Sequence, residues 1–125
     1  MASLLLVDDD VDILDVLRRL LERRSHTLAC ATDGAAAVDC VRATDTPPDL
    51  ILMDLRLPRM NGWDAIKAIR AGGATMPIIA LSGDTSDEDR ARAMTAGADL
   101  FMNKPTPIKE LSAAVDHLIE TRPGS

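Results

Sequence analysis

Polar side chains able to do chemistry follow the short apolar segments of this sequence. The aspartates Asp8–Asp10 follow the first segment, Asp54 the third and Ser82 the fourth, and Lys104 lies just beyond the fifth. Two carboxylates about 5 Å apart repel by roughly 3 kcal/mol at an effective dielectric near ~20, so a cluster of them requires a cation. Oxygen ligands in a compact acidic site suit Mg²⁺. A carboxylate nucleophile, a metal ion, a lysine and a hydroxyl together indicate a phosphoryl-transfer site.

Each of these residues also has an ordinary structural interpretation. Asp10 suits the N-cap of a helix, Ser82 alone is typical of a loop hydroxyl, and Lys104 alone of a solvated surface group. Their joint position at the carboxyl edge of one predicted sheet is what favours a site. His26 and His117 stand alone in the sequence, which predicts surface or boundary positions. A Ser-His-Asp, Cys-His or zinc mechanism therefore has little support.

Composition narrows the class of protein further. The chain has 125 residues, enough for one ordinary core, and 46% of them are hydrophobic. A net charge of −6 and an aromatic content of 2% argue against a direct nucleic-acid partner. No apolar stretch approaches the roughly 20 residues of a membrane span, and no signal peptide is visible. Cys30 and Cys40 lie in apolar stretches, which favours buried free thiols and a cytoplasmic location.

Short apolar runs alternate with helical patterns along the whole chain. The predicted strands are Leu4–Val7, Leu28–Ala31, Leu50–Met53, Ile78–Leu81 and Leu100–Met102. The predicted helices are Val11–Arg24, Asp33–Ala43, Trp63–Ala71, one from an N-cap at Ser86 to near Gly97, and one with Thr106 as N-cap and Pro107 at its first position. Most runs are unbroken, as in strands covered on both faces. This predicts an α/β fold, a (βα)5 doubly wound parallel five-stranded sheet of order 2-1-3-4-5. Residues 1–125 are expected to form one domain, with 122–125 as a short polar tail.

The motifs that surround the polar residues occur in a definite order. They are Leu5–Asp10, Asp49–Asp54, Leu57-Pro58, Asn61-Gly62, Pro77–Gly83, Ala96–Asp99 and Lys104-Pro105. In these motifs and their spacing the sequence resembles the receiver domains of the two-component response-regulator family over essentially its whole length. The resemblance implies the flavodoxin-like order of strands and a phosphorylation-dependent signalling function.

The resemblance implies a role for each residue of the site. Asp54 is expected to accept the phosphoryl group. Asp8, Asp9 and Asp54 are expected to hold Mg²⁺, together with the backbone carbonyl of Arg56. Lys104 is expected to pair with the phosphoryl oxygens.

Further positions are expected to transmit the signal or to tune it. Ser82 should bond the phosphoryl group, and Phe101 should turn inward when Ser82 moves. Arg56 and Asp84 flank the site, and their opposite charges predict a pair that adjusts the phosphoryl lifetime. The output surface is expected on the fourth helix, fifth strand and fifth helix. The Lys104-Pro105 bond is expected to be cis.

Two positions depart from the common family pattern. Phe101 stands where tyrosine is common, so a signal that needs a phenolic hydroxyl is not expected. Thr106 stands where phenylalanine often follows the Lys-Pro motif, which changes the surface at the start of the last helix.

The resemblance implies that a sensor histidine kinase or a histidine phosphotransfer protein supplies the phosphoryl group, and that a downstream protein is the target. Two alternatives stay open. Asp8 and Asp10 also match the Asp-x-Asp part of the Asp-x-Asp-x-Val motif of haloacid dehalogenase-type phosphatases, with Val11 one position early, and there Asp8 would attack and Asp10 would act as acid and base. A degenerate receiver that binds its partner without phosphorylation is the other.

Overall fold

The structure is a computed structural model that describes residues 2–83, 86–104 and 106–121. Its strands are β1 (Ser3–Val7), β2 (Thr27–Ala31), β3 (Leu50–Asp54), β4 (Ile78–Ser82) and β5 (Leu100–Asn103). Its helices are α1 (Val11–Glu22), α2 (Gly34–Arg42), α3 (Gly62–Ala71), α4 (Asp87–Ala96) and α5 (Ile108–Glu120). All the strand pairs are parallel, and the order is β2-β1-β3-β4-β5. The predicted fold class and strand order are therefore confirmed. The tail at 122–125 lies outside the described residues.

Alternate residues of the central strands enter two hydrophobic layers, one on each face of the sheet. Leu5, Ile51 and Met53 pack in the layer that includes apolar residues of α2, α3 and α4. Leu6 and Leu52 pack in the other layer with residues of α1 and α5. Because β3 and β4 are buried along their whole length, their carboxyl ends are held rigidly in the middle of the sheet.

The edge strand β2 differs from the prediction of strands covered on both faces. Only its last residue, Ala31, is fully buried, since β2 is the edge strand of the sheet formed by the described residues. Cys30 on this strand and Cys40 on α2 are free, as predicted, but both are exposed. The prediction that they are buried was wrong because each lies on the outer side of its element.

Two further details of the prediction were wrong. The N-cap of α5 is Pro107, and the hydroxyl of Thr106 donates instead to the backbone carbonyl of Asn103. His26, expected at the surface or its boundary, is buried, and its Nε2 lies 3.6 Å from Asp116 Oδ1 on α5. His117 is exposed, as expected. Within the ranges that the structure covers, no helix has both the length and the apolar character needed to cross a membrane.

Candidate functional site

The polar residues singled out from the sequence meet at the carboxyl edge of the sheet. Asp54 is the last residue of β3, Ser82 is the last of β4, and Asp8 directly follows β1. Because β1, β3 and β4 are neighbours, these three strand ends lie side by side. The backbone N–H of Lys104, just past β5, donates to the Ser82 carbonyl over 2.8 Å, which draws the lysine toward the same edge.

Three carboxylates form a compact acidic cluster. One oxygen from each of Asp8, Asp9 and Asp54 lies within 4.8 Å of the others. Asp8 and Asp54 are buried, with 4% and 6% of their surfaces exposed, whereas Asp9 is open to solvent. An all-oxygen donor set with one open side fits Mg²⁺, which keeps several of its own waters. The Arg56 carbonyl stays a predicted fourth protein ligand.

Lys104 connects two of these carboxylates. Its Nζ lies 2.7 Å from Asp8 Oδ2 and 3.2 Å from Asp54 Oδ2. Burial alone lowers the pKa of Lys104, but the hydrogen bond to Asp8 and the charges of Asp54 and Asp8 outweigh it, so the pKa is raised. The lysine is therefore held as a cation against the oxygen that is expected to carry the phosphoryl group.

Asp54 lies in an environment that opposes its ionisation. Burial is the largest cause of a raised pKa, and the charge of Asp8 adds to it. Lys104 and the Arg56 backbone N–H, which donates to Asp54 Oδ1 over 3.3 Å, act in the opposite direction without cancelling the rise. Because these surroundings disfavour the ionised carboxylate, a cation that binds beside Asp54 should stabilise its charged form.

This raised pKa predicts a measurable effect on stability. A folded-state pKa above the unfolded one means that the native state binds the proton more tightly, so stability falls as pH rises from the ordinary pKa of about 3.9 to the raised one. In metal-free buffer at pH 7 we expect Asp54→Asn to unfold at a higher urea concentration than the parent. The exposed Asp45→Asn is the matched control. A less stable Asp54→Asn would contradict the prediction.

Asp10 has the structural role that its position suggested. Its Oδ1 accepts hydrogen bonds from the backbone N–H groups of Asp12 and Ile13 at 3.0 and 3.3 Å, which makes it the N-cap of α1. Its own N–H donates to Asp8 Oδ1 over 3.0 Å. Asp10 thus orients Asp8 and starts the helix, and its carboxylate is engaged in the cap.

The loop between β3 and α3 packs tightly against the end of β3. Asn61 caps α3 by accepting from the N–H of Asp64 over 2.9 Å, and the Gly62 N–H donates to the Leu55 carbonyl over 2.9 Å. A Cβ on Gly62 would lie 2.3 Å from the backbone oxygen of Asp54. Only glycine allows this approach.

We therefore expect Gly62→Ala to lower the free energy of unfolding by about 1–3 kcal/mol, since the backbone at Asp54 must shift. Gly72→Ala is the control, because its Cβ would meet nothing closer than 3.5 Å. That change is expected to be neutral or to stabilise by up to about 1 kcal/mol. Urea unfolding measures both, and equal losses in the two variants would contradict the explanation.

The predicted switch residues are both buried. Ser82 is 1% exposed and Phe101 is 5% exposed, with the ring of Phe101 packed in the layer of α2, α3 and α4. The Arg90 guanidinium lies 5.1 Å from the centre of that ring, within the range of a cation–π contact. Asp84 and the Lys104-Pro105 bond, for which a pair with Arg56 and a cis geometry were predicted, lie outside the described residues.

Arg56 has partners that the sequence did not suggest. Its guanidinium lies 2.8 Å from Asp89 Oδ2 on α4 and 5.3 Å from the centre of the Trp63 ring. Arg92 lies over the same ring at 4.2 Å, and the indole N–H donates to the Asp89 carbonyl over 3.4 Å. The one available signal was that Trp63 is the only tryptophan and follows the Asn61-Gly62 motif.

The predicted output face carries an open groove. Its volume is about 490 Å³, and it is lined by Leu100, Phe101, Met102, Asn103, Thr106, Pro107 and Glu110. Met94 on α4 is 43% exposed. Exposed apolar and polar groups thus occur on both α4 and the β5–α5 region.

Comparisons with known proteins agree on one family. The sequence matches the family model of the response regulator receiver domain over residues 4–116. The transcriptional regulatory protein PrrA of Mycobacterium leprae is 38% identical over 118 residues, covering 94% of this chain and 50% of that protein. KdpE of Mycobacterium tuberculosis, also a transcriptional regulatory protein, is 38% identical over 113 residues, covering 90% and 49%. The chain spans about half the length of these curated relatives.

Solved structures give the same result. The receiver domain of the Francisella response regulator 1452 superposes with a TM-score of 0.89 at 27% identity, covering 96% of this chain and 98% of that one. The receiver domain of the sensor histidine kinase PA1611 from Pseudomonas aeruginosa has a TM-score of 0.85 at 32% identity and the same coverage. That structure holds a magnesium ion in its active site cleft.

Proposed function

Because this chain belongs to the family of response regulator receiver domains, we propose that it is a signalling switch that accepts a phosphoryl group on Asp54. In this reaction an oxygen of the Asp54 carboxylate attacks phosphorus. The bond from phosphorus to the donor's leaving group breaks, and the leaving group takes the electron pair. The domain signals through the state of this one side chain, and Asp8 and Asp10 do not react.

The observation that carries the proposal is the contact of Lys104 with two carboxylates. Its ammonium group lies 3.2 Å from Asp54 Oδ2 while Asp8 Oδ2 fixes it at 2.7 Å. A preformed cation beside the attacking oxygen can stabilise the charge that collects on the transferred group. Asp8 is held more tightly than Asp54: it accepts from Lys104 at 2.7 Å and from the Asp10 N–H at 3.0 Å, whereas the corresponding contacts of Asp54 are 3.2 and 3.3 Å, which favours Asp54 as the nucleophile.

Asp8, Asp9, Asp54 and the Arg56 carbonyl are the residues that would hold Mg²⁺. When bound, the ion supplies positive charge that offsets the phosphoryl oxygens and the acidic cluster. The buried members of the cluster fix its geometry, and the exposed Asp9 leaves one side open for the phosphodonor.

The partners follow from the family and from the surface. A sensor histidine kinase or a histidine phosphotransfer protein would donate the phosphoryl group, in a cytoplasmic setting. Ser82 would close on the phosphoryl oxygens and Phe101 would transmit the change, while Arg56 and Asp84 would tune the phosphoryl lifetime. The groove beside β5 and the exposed Met94 support an output surface on α4, β5 and α5 for a downstream protein.

The test uses Mg²⁺ and acetyl phosphate as the small phosphodonor. We expect one phosphoryl group per chain, mapped by peptide mass spectrometry to Asp54, and loss of labelling when EDTA removes the metal. Free acetyl phosphate should be turned over slowly, since a switch accumulates the phosphoryl group. A label on Asp8 with rapid turnover would instead support the phosphatase alternative. A chain that takes up no label would instead support the other alternative, a degenerate receiver that binds its partner without phosphorylation.

A further inference from the structure

The Arg56 side chain has two possible anionic partners, namely Asp89 on α4 and the phosphoryl group proposed on Asp54. Arg56 lies two residues after Asp54, and its backbone N–H already donates to the Asp54 carboxylate. Its guanidinium, however, is bound to Asp89 on α4 at 2.8 Å and rests over Trp63. In this state the ammonium group of Lys104 lies 3.2 Å from the Asp54 carboxylate.

Phosphorylation would change the balance between these partners. A phosphoryl group carries a charge of about −1.5 to −2 and three acceptor oxygens, whereas Asp89 carries one negative charge. Guanidinium groups bind phosphoryl oxygens well because their N–H groups form a planar fork. Since 60% of the Arg56 side chain is exposed against 15% for Asp89, the arginine is the more exposed partner and the one that would reorient.

Helix α4 depends on these same contacts. Its buried residues are the small side chains of Ala93 and Ala96, so apolar packing holds it weakly. Asp89 and Arg92 attach its first turns to Arg56 and Trp63 through an ion pair and a cation–π contact. A change of partner by Arg56 would remove one of these attachments.

We infer that Asp89 is a positioning residue that holds Arg56 away from the phosphoryl group and so shortens the life of the phosphorylated state. When Arg56 moves to the phosphoryl oxygens, it shields them from water and releases the first turn of α4. This inference rests on the proposed function, in which Asp54 carries the phosphoryl group. Through the ion pair between Asp89 and Arg56, α4 thus destabilises the phosphorylated state.

The test measures the half-life of the aspartyl phosphate after acetyl phosphate is removed, with Mg²⁺ present. Asp89→Asn removes the α4 carboxylate that holds Arg56, so the half-life should lengthen about threefold to fivefold, which is within the range of a partly exposed ion pair. Asp89→Glu keeps the charge and should return the half-life toward that of the parent. Asp87→Asn, the same charge change at an exposed position of the same helical turn, should have no effect.

The double variant decides whether Asp89 acts through Arg56. In an Arg56→Gln background, adding Asp89→Asn should leave the half-life unchanged, because no guanidinium remains to be released. An equal lengthening in both backgrounds, or no lengthening in Asp89→Asn, would overturn the positioning role while leaving phosphorylation of Asp54 intact. A parent chain that takes no label at Asp54 would overturn the proposed function and this inference together.

Discussion

Asp54→Asn is expected to take up no phosphoryl group from acetyl phosphate under conditions in which the parent chain is labelled. The amide keeps the shape of the carboxylate but lacks the charge and the nucleophilic oxygen, so the loss should be complete. Because asparagine matches aspartate in shape and volume at this buried position, the substitution should leave the fold intact. Phosphate-affinity gel electrophoresis and intact-mass measurement both report the label.

The other aspartates are the matched controls for this result. Asp8→Asn and Asp9→Asn each remove one candidate metal ligand while the nucleophile stays, so labelling should be slower and should need more Mg²⁺. Asp10→Asn should be labelled almost normally, because asparagine caps a helix about as well as aspartate. A label that survives in Asp54→Asn and maps to Asp8 would contradict the assignment of the nucleophile.

Lys104→Gln is expected to slow labelling about a hundredfold, by analogy with the loss of one preorganised donor at a developing negative charge. The same change should make Mg²⁺ bind more tightly, since the ammonium group occupies Asp8 Oδ2 and neutralises part of the acidic cluster. Tighter Mg²⁺ binding together with slower labelling would show that Lys104 acts in phosphoryl transfer, because general damage to the site should weaken both. Isothermal titration and the initial rate of labelling measure them.

Lys109→Gln provides the control for the charge change in this second experiment. Lys109 is exposed on α5, so its loss alters the net charge equally without touching the carboxylates. Weaker Mg²⁺ binding in Lys104→Gln, or equal rates in the two lysine variants, would contradict the role of Lys104 as the cation of the site.

Much of the site could be predicted from sequence because its polar residues lie at the ends of strands. The unbroken apolar run from Leu50 to Met53 identifies a buried parallel strand, and the residue after such a run must emerge at the carboxyl edge. The structure places Asp54 there, beside Asp8 and Ser82. The local pattern and the order of strands were sufficient because both obey general rules of chain geometry.

Contacts between distant helices could not be predicted in the same way. The pair formed by Arg56 and Asp89 joins residues 33 positions apart, and its existence depends on how α4 packs against the β3–α3 region. The burial of His26 likewise depends on α5. Sequence periodicity tells which face of an element is apolar, but it does not tell which polar side chains of two packed elements meet.

The arrangement around Trp63 should make the tryptophan fluorescence of the molecule sensitive to its candidate site. The chain contains one tryptophan and no tyrosine, so its near-ultraviolet emission comes from a single indole. Two guanidinium groups lie over that ring, and one of them belongs to Arg56, two residues after Asp54, the proposed phosphoacceptor. A charge near an indole alters the energy of its excited state, and the emission wavelength therefore reports where Arg56 lies. We therefore expect the emission to change when the site is occupied, which would allow occupancy to be followed with no attached dye.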